Sequence, residues 1–220
     1  MYRRVQIAIF FAITCTAWAQ VSTDSPSKGS LLVWQPPTLQ LPNALPQPTV
    51  AKEMITTLRV AKMLIILEKT GLTDVQTRLG GSIGHRGDAS EALAWLCFHG
   101  ADANTRWALW LESSELGGGM IDGFALQRLA RNAKTDQRCQ MLQGREGVIE
   151  LPTALRLGLT EMQVRKILGN PTTTYQNTLV FEHEHEETIH NQPFTASNTV
   201  YVTFRGGTVW AIQVWKDTTS

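Results

Sequence analysis

The sequence predicts an α+β protein made of two tandem small modules, each with short helices packed on one face of a three- to four-stranded antiparallel sheet. Three observations lead there. A helix-like segment occurs twice, each occurrence is followed by three strand-like runs, and the last two runs alternate apolar and polar residues about a glycine turn.

Taken in order, the chain starts with Arg3 and Arg4, an apolar stretch from Val5 to about Thr14, and the pattern Ala17-Trp18-Ala19. This is the layout of a signal peptide cut after Ala19, and the apolar run is about half of the roughly 20 residues that a bilayer span needs. Residues 1–19 are expected to direct export to the periplasm and to be removed. The alternative is a lipid anchor at Cys15, although Thr14 stands where a lipobox wants Gly, Ala or Ser. Residues 20–50 follow as a leader. Pro36-Pro37 and repeated Leu-Pro steps remove backbone donors and disfavour helix, so an extended, disordered segment is expected.

The first module is expected over residues 52–137. Its helix lies within Thr70–Gly80, and its strands are Leu93–Phe98, Arg106–Leu111 and Ile121–Leu126. The second is expected over residues 140–216. Its helix lies within Thr160–Gly169, where Thr160 and Gln163 form a capping-box pattern, Met162, Ile167 and Leu168 are candidate buried positions, and Gly169 is a natural stop before Pro171. Val75, Leu79 and Gly80 match Val164, Leu168 and Gly169 at one constant offset. Strands follow at Thr178–Glu186, Thr199–Phe204 and Thr208–Val214. In the last hairpin Val200, Val202 and Phe204 share one face, Arg205-Gly206-Gly207-Thr208 turns, and Trp210, Ile212 and Val214 alternate back.

The run Leu157 to Pro171, the strand after it, and Val202-Thr-Phe-Arg-Gly-Gly-Thr-Val209 together resemble the SmpA/OmlA (BamE-like) domain. Residues 150–215 carry the resemblance well, and residues 65–130 carry a weaker copy. The tandem arrangement is similar to that of β-lactamase inhibitory protein. The resemblance implies paired short helices on one face of a small antiparallel sheet, used for protein–protein contact.

Composition narrows the function. The chain has 20 basic and 19 acidic residues, and losing Arg3 and Arg4 leaves 18 against 19, so there is no basic surplus for a nucleic-acid partner. Once Cys15 is removed, Cys97 and Cys139 are the remaining thiols, and an oxidising compartment favours a bond between them, with a chain-entropy stabilisation of roughly 4 kcal/mol. Cys97 with His99 as a nucleophile pair lacks a third group to orient the imidazole. Phe181-Glu-His-Glu-His-Glu-Glu187 places His183 and His185 on one strand face, where with His190 they are weak candidates to hold Zn²⁺ or Cu²⁺. The five-residue spacing of His185 and His190 does not fit the HExxH geometry. Gly80 to Ala89 is glycine-rich but matches neither dinucleotide nor phosphate-loop patterns. Trp110 and Trp215 fall opposite Leu109 and Ile212, which makes them candidate partner-binding anchors or a second layer of core.

The expectation is a non-enzymatic, exported protein-binding or envelope-assembly module without a cofactor, whose partner is an envelope or outer-membrane protein. Peripheral association with a membrane fits the same reading. The alternatives are a periplasmic metal-handling protein using His183 and His185, or an inhibitor of an exported enzyme.

Overall fold

The computed structural model describes residues 32–38, 54–88, 91–101, 105–143 and 148–219. The expected signal peptide, Cys15 and most of the leader lie outside the described residues. The described strands are β1 (Leu32–Val33), β2 (Thr57–Val60), β3 (Met63–Ile66), β4 (Ile83–Arg86), β5 (Leu93–Ala101), β6 (Arg106–Ser114) and β7 (Gly123–Arg128). They continue with β8 (Lys134–Thr135), β9 (Gln140–Met141), β10 (Ile149–Glu150), β11 (Thr173–Tyr175), β12 (Thr178–Ile189), β13 (Gln192–Arg205) and β14 (Thr208–Thr219). Helix α1 (Leu72–Leu79) precedes β4, and α2 (Glu161–Leu168) precedes β11.

The α+β expectation is overturned. Strand accounts for 53% and helix for 10%, and the protein is a mostly β structure organised by one large antiparallel sheet of nine strands. The sheet runs β11-β12-β13-β14-β7-β6-β5-β4, with β9 pairing in parallel beside β4 on the edge of β5. The stretches read as two modules meet where Ala211–Trp215 of β14 pair with Gly123–Gln127 of β7, so their strands share one sheet. The helices misled because each is only eight residues long, whereas the hairpin β12–β13–β14 extends well past the apolar runs. Two-residue turns let it do so: Gly206 and Gly207 at φ 59° and 75°, and His190 and Asn191 at φ 51° and 63°. Positive φ at both central positions matches the twist of paired strands.

The two helices repeat each other. Both bury the matched valine, Val75 or Val164, and both end at a positive-φ glycine, Gly80 or Gly169, which costs glycine no Cβ clash. Thr160 Oγ1 accepts from the Gln163 amide, while the Gln163 side chain accepts from the Thr160 amide at 2.9 Å. Met162 corrects the expectation: it is 78% exposed, and Val164 takes the buried place beside Leu168.

Strand alternation divides the sheet into two faces. On face A, Leu96, Phe98, Leu109, Leu111, Phe124, Leu126, Leu179, Phe181, Val200, Val202, Ile212 and Val214 are buried together with helix residues and with Leu58, Val60 and Ile65 of the small sheet β10-β2-β3. One core therefore draws on both stretches. A bulge between Thr203 and Phe204 shifts the last hairpin, so that Val209, rather than the expected Trp210, enters this core. On face B, Trp95, Cys97, Ala108, Trp110 and Ala125 pack with Leu129, Cys139, Val33 and Trp34.

Asn198 ties the ends of face A. It is 2% exposed, its Oδ1 accepts from the Ile55 amide at 3.0 Å, and its Nδ2 donates to Ile55 O and Trp215 O at 3.1 and 2.9 Å. Every polar atom of that amide is matched, which is what permits an asparagine there.

Candidate functional site

The site is the tryptophan-walled trough on face B, where the sheet holds part of the leader. Residues 32–38 were expected to be disordered. Instead β1 pairs in parallel with β8, and Trp34 sits against the sheet. Its main-chain oxygen accepts from two indoles at once, Trp95 Nε1 at 3.1 Å and Trp110 Nε1 at 3.0 Å. Its ring lies 5.6 Å from that of Trp95 and under the Arg138 guanidinium at 4.3 Å. A cation over an aromatic face at this range is attracted to the ring's quadrupole. Farther along, Pro37 O accepts from Gln213 Nε2 at 3.0 Å.

The walls are held by the sheet. Trp95 and Trp110 are 1% and 2% exposed, on neighbouring strands β5 and β6. Gly84 makes room for Trp95 and Trp34, because a Cβ there would lie 2.4 Å from the Trp95 indole and 2.7 Å from that of Trp34. Gly123 does the same for Trp215, whose ring would be 2.5 Å from an added Cβ. Arg138 is steered by Asp136, which receives its Nε and Nη2 at 2.8 and 2.7 Å. Those bonds hold the Asp136 carboxyl down at about 2.

Cys97 and Cys139 stand at disulfide distance, Cα to Cα 4.5 Å, 42 residues apart in sequence. The bond lies where the chain, having crossed face B, passes the edge of β5 as β9 and sends Leu142 into the face A core. Because the Cys97 sulfur is engaged, it cannot serve as the nucleophile weighed beside His99. The bond is consistent with an exported protein, and no helix among the described residues is long and apolar enough to cross a membrane.

Of the two candidate anchors, Trp110 takes the second-layer alternative: it is buried, and its indole donates to the Trp34 carbonyl. Trp215 is half-buried at the border of the same cluster. Sequence reasoning missed Trp34, Arg138 and Gln213. The indole and Gln213 contacts run to main-chain oxygens, which carry no side-chain signature, and Arg138 meets the Trp34 ring across about a hundred residues of sequence.

Glu112 was also missed. It is 2% exposed, with cross-strand neighbours Trp95 and Gly123, and its Oε1 has no hydrogen-bond partner. Burial pushes its carboxyl up to about 8, against the opposing pull of Arg86 and with a further push from Asp122. Asp122 is itself raised by burial, although it accepts from the Ser114 amide and hydroxyl.

His183 and His185 project on face A beyond Phe181, with ring centroids 5.4 Å apart. His185 Nε2 lies 2.9 Å from Glu187 Oε1, while the Nδ1 atoms of both rings are buried without a partner. Burial and then the neighbouring His185 lower the His183 pKa. His190 sits in the β12–β13 turn. Among the described residues no group of three His, Cys, Asp or Glu could hold a metal ion. Nearby, Glu68 accepts from Lys216 Nζ and Thr218 Oγ1, fastening the β3–α1 connection to β14.

No family model, curated protein or solved structure matches the chain.

Proposed function

We propose that the protein is an exported, non-enzymatic binding or assembly module of the cell envelope, periplasmic once residues 1–19 are removed, which engages an envelope or outer-membrane protein through face B. The observation that carries this reading is the grip on Trp34, in which two indole donors from adjacent strands meet one main-chain carbonyl. Side-chain donors aimed at main-chain oxygen, set among aromatic rings, are the chemistry of polypeptide recognition. The resemblance of residues 150–215 to the SmpA/OmlA domain points the same way.

The test is photo-crosslinking in cells from position 217, exposed on β14 and on the same face as Trp215. Capture of one envelope protein is expected, weakened about tenfold by Trp215→Ala, since an anchor aromatic supplies about 1–2 kcal/mol or more. A folded Trp215→Ala variant that captures the same protein as well as the parent refutes the proposed face.

A further inference from the structure

We propose that the trough on face B recognises extended, proline-containing segments that carry a tryptophan, and that residues 33–37 occupy it as the chain's own ligand until such a segment from a partner polypeptide displaces them. This rests on the protein-binding reading and names the ligand.

The seated residues define the chemistry. Val33-Trp34-Gln35-Pro36-Pro37 contains two prolines that fix φ near about −65° and push the residue before each into extended backbone. Prolines lack an N–H, so such a segment shows its surroundings mainly carbonyl oxygens, and it loses little conformational entropy on binding. Face B offers the complementary set. Two indole N–H groups take the Trp34 carbonyl, the Gln213 amide takes the Pro37 carbonyl, and Arg138 covers the tryptophan ring. All of these contacts fall within five residues, the length of a linear motif.

The sheet supplies most of the receptor, and β8 with Arg138 completes it by pairing with the segment. Trp95 and Trp110 belong to the core strands β5 and β6, Gln213 to β14, and the disulfide at Cys97 secures the floor. The leader, in contrast, leaves one group unused: Glu112 Oε1, buried on the same face between Trp95 and Gly123, has no partner. A partner segment that satisfies it gains a bond the leader does not make. That difference in affinity is what a displacement requires.

The experiment uses the full chain and a fluorescent synthetic peptide of residues 30–40. In wild type the leader occupies the site and weakens apparent binding by the fraction of time it is closed. Trp34→Ala opens the trough without touching its walls, and it is expected to bind the peptide at least about tenfold more tightly than wild type does. Replacing Pro36 and Pro37 of the peptide by alanine, or adding Trp110→Phe to the protein to delete one indole N–H, should abolish the gain.

Equal binding to wild type and folded Trp34→Ala, or binding indifferent to Trp110→Phe, overturns the proposal. If Trp34→Ala does not fold, a protease site introduced between residues 39 and 53 of the otherwise native chain converts the leader into a separable ligand. Its exchange for free peptide then supports the proposal, and its retention until global unfolding overturns it. Dimerisation of wild type that Trp34→Ala abolishes assigns the site to a second copy and overturns the external partner. Failure here leaves the crosslinking test of the envelope role standing, and failure there leaves this peptide chemistry standing.

Discussion

Replacing Glu112 with glutamine should make the protein more stable at neutral and alkaline pH, and the gain should grow with pH. The carboxyl is 2% exposed, one oxygen has no hydrogen-bond partner, and burial raises its pKa from 4.5 to about 8. The folded protein therefore keeps a proton that the unfolded chain releases above about pH 4.5. Its contribution to stability is fully present below that pH and is lost as pH rises through 8. At about 1.4 kcal/mol per pH unit the loss is about 3 kcal/mol at pH 7 and about 5 kcal/mol by pH 9. Glutamine keeps the shape without the ionisation. Urea unfolding of wild type and Glu112→Gln at pH 5, 7 and 9 measures the difference directly. The two proteins should come close together at pH 5 and diverge by several kcal/mol at pH 9. Parallel profiles over that range would show that Glu112 ionises freely in the folded state, and the account of face B as a dry, tryptophan-covered surface would fail with it.

Two further predictions concern the ties of the fold. Reducing the Cys97–Cys139 bond, or replacing both residues with serine, should lower stability by roughly 4 kcal/mol; calorimetry with and without reductant reads this, and free thiols at both positions in protein purified without reductant would contradict it. Asn198→Ala should cost about 2–3 kcal/mol in urea unfolding because it strips partners from the buried Ile55 amide and from two carbonyls, and Asn198→Asp should cost more than Asn198→Ala at neutral pH because it buries a carboxylate against those two carbonyl oxygens.

Much of the local structure is legible in the sequence, and the assembly is not. The Val200–Val214 hairpin and its Gly-Gly turn are legible because one face is apolar, whereas the bulge that exchanges Trp210 for Val209 in the core leaves no local signal. Helix α2 reads correctly because Thr160, Gln163 and Gly169 punctuate it. Strands β5 and β6 were visible as apolar runs, but both of their faces are buried, and the same runs do not reveal what covers each face. The join of β7 to β14 is set by pairing between residues roughly ninety positions apart, for which no local pattern exists. The error in fold class followed from this, since two halves read separately look like two small sheets with helices. At the candidate site, alternation correctly placed Trp110 opposite Leu109. Its covering was hidden because a proline-rich leader reads the same whether or not two indoles hold one of its carbonyls.

Strand β14 has a consequence for the order in which the chain can close. It is the seam of the sheet, pairing β13 on one side and β7 on the other. Until residues 208–219 are available, β7 and β13 are open edges, and the face A core exists only as fragments. Open edges of this kind invite pairing with other chains, so a nascent protein held at this stage needs protection. The sheet closes into one body only when β14 pairs with both of its neighbours.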